Sequence, residues 1–139
     1  MSLREFFHHP DTNEQFILGH YHALTKKEIV KLKKYSKECA KITGVDKKLV
    51  INARRGVFSN DAKLKQQLLC SSKKIGFQNE AGELQLDVMK QKVQVQYKDP
   101  KVADVLIKKC AIQQNTPEET AFEIVKCYYK NTPNRFSLV

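Results

Sequence analysis

Histidine is missing from most of this 139-residue chain, because His8, His9, His20 and His22 are its only copies. The remaining chain therefore lacks the commonest general base of enzymes. It also lacks the GxSxG, P-loop and HExxH motifs. We therefore expect no enzyme activity and no cofactor. We also expect no metal site, because a short tract with a few histidines rarely forms one.

Long apolar stretches are absent as well. No segment approaches the roughly 18 apolar residues that a membrane span needs, so we expect no membrane-spanning helix. The chain is also poor in acids, with 15 Asp and Glu against 25 Lys and Arg, and its net charge is +10. Such a charge is typical of a solvated cationic surface. It also favours attraction to nucleic acid, acidic lipid surfaces or anionic small ligands.

Nucleic acid is the least favoured of these partners. Arginine is scarce, and the lysines are spread over the predicted helices instead of forming one run. Nucleic-acid modules more often combine clustered arginines with aromatic residues on one surface. We therefore expect no nucleic-acid partner.

The chain contains four cysteines, Cys39, Cys70, Cys110 and Cys127. No two of them have the CxxC spacing that a zinc site usually shows. An even number without that spacing favours two disulfides, and disulfides indicate an oxidising compartment. Four cysteines allow three connectivities, and spacing alone does not choose among them.

The stretch TPEETAFEIVKCYYKN, from Thr116 to Asn131, has the clearest helical signal in the chain. Thr116 suits the N-cap, Pro117 suits the first helical position, and Glu119 has the capping-box spacing. Pro133 ends the helix, because proline cannot continue it. The polar residues at positions 119, 123, 126 and 130 form one narrow stripe, so most of the circumference is predicted to be buried.

Amphipathic patterns and capping residues predict five further helices before this one. They cover about residues 25–43, 46–55, 61–75, 86–97 and 100–112. The segment 93–97 also alternates with the period of a strand. A helix is preferred there because the flanking segments are helical and no partner strand is visible. The predicted fold class is therefore all-α, with about six helices.

Three segments of the chain, taken together, resemble the insect odorant-binding protein family. They are LTKKEIVKLKKYSKECAKITGV up to Val45, ARRGVFSNDAKLKQQLLC up to Cys70, and KKCAIQQNTPEETAFEIVKCYYKNTP up to Pro133. The chain resembles the four-cysteine, "minus-C" branch of the family, and within it the beetle haemolymph and accessory-gland B proteins. The ordered set of cysteines, caps and helix breakers carries the resemblance, which runs from Leu24 to Pro133.

The resemblance implies a compact bundle of about six helices around an apolar cavity. It also implies the disulfides Cys39–Cys70 and Cys110–Cys127, which would join helix one to three and helix five to six. The family usually has a third bridge between helices three and six, and its two cysteine positions hold Gln66 and Glu118 in this chain. Because this bridge is missing, we expect a more adaptable cavity there.

The function implied by the resemblance is that of an extracellular carrier. Such a carrier reversibly binds small hydrophobic ligands, such as odorants, pheromones or fatty-acid-like molecules, in its cavity. It would be secreted into a fluid such as haemolymph or sensillar lymph, as a monomer or a weak dimer. Many relatives are acidic, so the basic charge of this chain favours fatty-acid-like anions near the cavity mouth. The alternative is a cationic helical protein with a filled core that binds acidic membranes or partners, or, less favourably, nucleic acid.

Candidate ligand-binding residues come from the inward faces of the predicted helices, because the resemblance does not fix them. Tyr35 or Tyr128 would orient an oxygen of the ligand. The predicted ligand-binding residues are Leu32, Tyr35, Leu68, Met89, Val93, Val105, Phe122, Val125 and Phe136.

The two ends of the chain are interpreted separately. Residues 1–23 fall outside the resemblance and contain no recognisable signal peptide, so we interpret them as a tag or an altered leader. The odorant-binding-protein-like domain is expected at 24–139. The end of the chain is apolar, at Phe136, Leu138 and Val139. We predict that this tail folds back over the last helix as a lid.

Overall fold

The structure is a computed structural model that describes residues 26–96 and 99–132. The described residues form six α-helices and no β-strand, apart from one isolated bridge between Gln78 and Leu84. The all-α prediction is therefore confirmed. The predicted start at Thr25, the predicted end at Tyr97 and the predicted apolar tail lie outside the described residues. The helices are α1 Lys26–Thr43, α2 Lys47–Arg54, α3 Ala62–Ile75, α4 Leu86–Gln96, α5 Pro100–Cys110 and α6 Pro117–Asn131.

Short polar side chains start four of these helices. Asp46, Asp61, Asp99 and Thr116 each accept a hydrogen bond from a backbone N–H two or three residues later, at 2.8 to 3.1 Å. Such caps satisfy N–H groups that have no partner inside the helix. The local sequence therefore sets where α2, α3, α5 and α6 begin.

Two disulfides join the helices in the pairing that the resemblance implied. Cys39–Cys70 links α1 to α3, and Cys110–Cys127 links α5 to α6, with Cα–Cα distances of 5.7 and 5.5 Å. All four cysteines are bonded. By the loop-entropy estimate each bridge contributes about 3 to 4 kcal/mol to stability.

The helix α6 contributes to each of three apolar clusters. Phe122 and Val125 pack with Leu64 and Leu68 of α3. On other sides of the helix, Tyr128 packs against α4 and α5, and Ile124 packs against Phe77 and Met89. The prediction that most of the circumference of α6 is buried is therefore confirmed.

A buried glutamine connects α1 and α3 next to their disulfide. Gln67 is fully buried. Its Nε2 donates to the backbone oxygen of Ser36 at 2.9 Å, and its Oε1 accepts from the Thr43 hydroxyl at 2.9 Å. Because both ends of the amide are hydrogen-bonded, these bonds offset the cost of burying the group and connect α1 to α3.

In the part of the chain that the structure describes, no helix combines the length and the apolarity that crossing a membrane requires.

Candidate functional site

A small void, which we call the inner void, lies between α3, α6 and the loop that follows α3. Its volume is about 10 Å³, roughly the space for one water molecule. A ligand larger than water must therefore displace side chains or move the helices apart. The lining residues are Leu68, Ser71, Ser72, Ile75, Phe77, Ala121, Ile124 and Val125.

A polar group, the Ser71 hydroxyl, belongs to this largely apolar lining. Ser71 is 5% exposed, and its Oγ forms no hydrogen bond within the described residues. A buried hydroxyl in that state costs roughly 1 to 3 kcal/mol. An oxygen atom of a water molecule or of a ligand would therefore be stabilised beside it.

The structure distributes the predicted ligand-binding residues over several places. Leu68 and Val125 line the inner void, and Phe122 packs with them in the same apolar cluster. Met89 lies next to the void, because it packs with the lining residues Phe77 and Ile124.

The remaining predicted residues lie away from the inner void. Val93 and Val105 pack together with Tyr128 in the cluster formed by α4, α5 and α6. Leu32 and Tyr35 are half-buried on α1, and neither belongs to the three clusters of described residues. The two tyrosines considered for orienting a ligand are not among the residues that line the void. Phe136 lies outside the described residues. The structure therefore brings together only some of the predicted ligand-binding residues.

The helical spacing of α3 indicated that Ser71 is buried, but the polarity of serine obscured this signal. Leu64, Leu68, Ser71 and Ile75 are spaced by four, three and four residues, which places Ser71 on the apolar face of α3. Phe77 had no such signal, because it follows the end of α3 and reaches the void through the turn at Gly76.

A larger depression, which we call the outer cleft, lies on the opposite side of α6. Its volume is about 530 Å³, within the range of small-molecule sites. None of the predicted ligand-binding residues lines it, and it shares no lining residue with the inner void. Its lining residues are Gly56 and Phe58, Lys109 of α5, and Glu123, Lys126, Cys127, Tyr129, Lys130 and Asn131 of α6.

The outer cleft was not predicted, because its α6 wall had been interpreted as a solvent-facing stripe. Glu123, Lys126 and Lys130 are three of the four polar residues of that stripe. They form a wall only because Phe58 and Lys109, from distant parts of the chain, lie beside them.

Comparison with known proteins relates nearly all of the described region to one family. Residues 22–131 match the PBP/GOBP family. The B1 protein of Tenebrio molitor is 37% identical over 114 residues, which are 82% of this chain and 88% of that protein. At this level of identity, family membership indicates a shared fold and a shared general class of protein.

Two solved structures resemble the chain in both sequence and fold. The THP12 carrier protein from the yellow mealworm is 31% identical with a TM-score of 0.55, covering 76% of this chain and 94% of that protein. The fatty acid binding protein OBP56a from the oral disk of the blowfly Phormia regina is 26% identical with a TM-score of 0.63, covering 80% and 96%.

Proposed function

The chain belongs to the PBP/GOBP family, and from this premise we propose that it is an extracellular carrier that reversibly binds small hydrophobic ligands between α3 and α6. Its relatives include a protein named as a carrier and another named as a fatty acid binding protein. Two disulfides suit a protein that works in an oxidising fluid. The observation that carries the proposal is the Ser71 hydroxyl, which lies beside an apolar void and has no hydrogen-bond partner among the described residues.

Ligand uptake requires the inner void to expand. The positions of the third bridge of the family hold Gln66 and Glu118, so no covalent bond ties α3 to α6 there. An ion pair between Lys65 and Glu119 and apolar packing hold the two helices together. Contacts of these kinds separate and re-form without chemistry, so an entering ligand can replace protein–protein contacts by protein–ligand contacts.

The ligand class follows from the lining of the void. Burial of each methylene contributes about 0.8 kcal/mol, so a medium-length alkyl chain reaches micromolar affinity after the costs of binding. The Ser71 hydroxyl both donates and accepts hydrogen bonds. The ligand is therefore an apolar molecule with one oxygen-containing group, such as an alcohol, a carbonyl compound or a fatty acid.

Displacement of the fluorescent apolar probe N-phenyl-1-naphthylamine tests this function. Apolar compounds with one oxygen should displace the probe from the intact, oxidised protein. Decanoic acid should also bind more tightly than its methyl ester at low salt, because the protein is strongly basic. Equal affinities would overturn the preference for anions, and no displacement by any compound would overturn the carrier function.

A serine variant makes the test specific to the inner void. Ser71→Ala should weaken the binding of 1-decanol about fivefold, the value of one hydrogen bond, and leave the binding of n-decane unchanged. The variant should fold normally, because the hydroxyl that it removes has no partner among the described residues. An equal loss for both ligands would contradict the role of Ser71.

The exposed face of α1 favours a second candidate function, binding to anionic membranes. Along this helix, Val30 and Ile42 are 65% and 76% exposed. Exposed lysines surround them at positions 31, 33, 34, 37 and 41. Salt-sensitive binding to vesicles that contain phosphatidylserine, without displacement of the apolar probe by any ligand, would favour this function over the carrier.

A further inference from the structure

We propose that the outer cleft is a second ligand site, separate from the inner void, and that it binds a small amphipathic anion: a carboxylate attached to an aromatic body. This site goes beyond the carrier function, because no residue of the outer cleft lines the inner void. The two sites lie on opposite faces of α6. Ala121, Ile124 and Val125 face the void, whereas Glu123 and Lys126 face the cleft.

The floor of the cleft is aromatic and held in place. The rings of Phe58 and Tyr129 meet edge to face, with 6.0 Å between their centroids. Phe58 is also fixed from the other side by Phe122, at 6.2 Å and again edge to face. Both Phe58 and Tyr129 line the cleft and are only half-buried, so part of their aromatic surface is open to a ligand.

Gly56 allows the Tyr129 ring to adopt this position. A Cβ atom on residue 56 would come within 2.3 Å of Tyr129 Cε1, and the backbone there has a φ of +88°. The ring therefore occupies the space that any other side chain would fill. Because a specific residue type makes room for the aromatic floor, the cleft has a defined shape that a ligand can recognise.

The rim of the cleft is cationic. Lys126 and Lys130 of α6 line the cleft together with one carboxylate, Glu123. Lys126 Nζ lies 3.6 Å from Glu123 Oε1, and the two side chains are 42% and 41% exposed. An exposed pair at that distance is weak and is screened by salt, so a ligand carboxylate can compete for the lysine.

Charge and shape together select the ligand. A neutral aromatic compound would meet the floor but gain nothing from the rim, and a small inorganic anion would gain nothing from the floor. An aromatic carboxylate uses both, because its ring lies on Phe58 and Tyr129 while its charge lies near Lys126 and Lys130.

The test uses 1-naphthoate as probe, with the full oxidised protein and its interior saturated with N-phenyl-1-naphthylamine. Addition of 1-naphthoate at low salt should shift the backbone amide NMR signals of Gly56, Phe58 and Tyr129 in a saturable way, without displacing the fluorescent probe. Methyl 1-naphthoate, which has no charge, should bind about fivefold to tenfold more weakly.

Two matched variants separate the local rim from the overall charge. K126Q/K130Q should weaken 1-naphthoate binding about fivefold to tenfold. K31Q/K34Q removes the same number of charges from exposed lysines of α1 and should leave the affinity within about twofold. Both variants change only partly or fully exposed side chains and should fold normally.

Two results would overturn the proposal. One is an equal loss of affinity in the two variants, which would mean that only net charge attracts the anion. The other is a set of shifts confined to Ser71, Phe77 and Ile124, with displacement of the apolar probe, which would place the anion in the inner void. Failure of the carrier function is distinguishable, because it removes fluorescent probe binding and leaves the shifts at Gly56 and Phe58.

Discussion

Lys65 Nζ lies 2.8 Å from Glu119 Oε2 and 4.9 Å from the centroid of the Phe122 ring. This ion pair joins α3 to α6 next to positions 66 and 118, where the family usually has a disulfide. The Lys65 side chain is only 18% exposed, so its charge interactions are screened less than those at the surface. We expect Lys65→Met to lower the free energy of unfolding by about 1 kcal/mol.

A double-mutant cycle measures the coupling in this pair. The variants Lys65→Met and Glu119→Gln, alone and combined, should give a coupling of about 0.5 to 1 kcal/mol in urea unfolding. The matched control is the Lys126–Glu123 pair, which is longer, at 3.6 Å, and more exposed. Its coupling should be close to zero, and equal couplings in the two pairs would contradict the role of burial.

The loop between α3 and α4 is fixed against α6 by a close contact between Gly82 and Pro117. A Cβ on residue 82 would lie 2.4 Å from Pro117 Cβ, and the φ of Gly82 is +83°. Gly82→Ala should therefore combine backbone strain with overpacking and cost about 2 to 5 kcal/mol of stability.

Gly44→Ala is the matched control for this change. Gly44 has a similar φ of +68°, but the nearest atom to its added Cβ is the flexible Lys63 Nζ, at 3.9 Å. Its cost should be limited to the backbone term of about 1 to 2 kcal/mol. If thermal unfolding showed the same loss for both variants, the contact with Pro117 would not be a structural constraint.

Thr120 is a buried hydrogen-bonding centre at the start of α6. Its Oγ1 accepts from the Gln114 N–H at 2.8 Å and from Gln113 Nε2 at 3.0 Å, and it donates to Thr116 O at 2.9 Å. Thr120→Val keeps the shape but removes the acceptor of the Gln114 N–H, so it should cost about 1 to 3 kcal/mol. Thr120→Ser keeps the hydroxyl and should cost less, and a larger loss for serine in urea unfolding would contradict this assignment.

The helices were predictable because their signals are local. Asp61 caps α3, and Gly76, with a φ of +87°, ends it. Aspartate commonly caps a helix when it precedes an amphipathic pattern, and glycine commonly ends the helix when it follows one. The alternation in residues 93–97 had suggested a strand, but the described part of that segment continues α4, which packs through Val93 against α5. Packing against a neighbouring helix therefore accompanies the helical structure of this segment, whose local patterns conflicted.

The candidate sites were less predictable because they depend on contacts between distant residues. Two residues predicted from the inward faces, Leu68 and Val125, line the inner void, but a serine on α3 was not expected to be buried. The outer cleft needs Phe58 and Tyr129 to meet over Gly56. No periodic pattern contains that arrangement, since it arises only when α6 packs against the connection between α2 and α3.

Acid should weaken one connection between α1 and α3. Lys74 Nζ donates to Glu38 Oε2 at 2.9 Å. This hydrogen bond lowers the pKa of Glu38 below its usual value, partial burial opposes the change, and the charges of Lys74, Lys34 and Lys41 add to it. A carboxylate whose pKa is lowered by folding stabilises the protein above its unfolded pKa, and this contribution is lost as the pH falls through the folded pKa.

Glu38→Gln should therefore lower the melting temperature slightly at pH 7, and the difference from wild type should shrink as the pH falls through the lowered pKa of the folded Glu38 carboxyl. The expected effect is small because the pair is exposed to solvent. Glu80→Gln, which removes a carboxylate from the exposed loop after α3, controls for the change in net charge. If the difference between Glu38→Gln and wild type did not shrink as the pH was lowered, the ion pair with Lys74 would not be its cause.

Restoring the missing bridge tests how far α3 and α6 separate. The double variant Gln66→Cys, Glu118→Cys places cysteines next to the Lys65–Glu119 contact, so we expect a third disulfide to form between the helices. The new loop spans about 52 residues, and the chain-entropy estimate gives about 4 kcal/mol of added stability. Amide exchange around positions 66 and 118 should become slower in the double variant, whereas in wild type it should be faster there than beside the existing bridges Cys39–Cys70 and Cys110–Cys127.

The same variant links stability to ligand uptake. If expansion of the inner void requires α3 and α6 to move apart, the third bridge should lower the affinity for bulky apolar ligands and preserve it for short ones. Gln66→Cys alone controls for the side-chain change. Two free thiols that persist in the folded double variant under oxidising conditions would mean that the distance between the two positions, or the direction of their Cβ atoms, does not suit a disulfide. That result would contradict the interpretation of Gln66 and Glu118 as the sites of a lost pair.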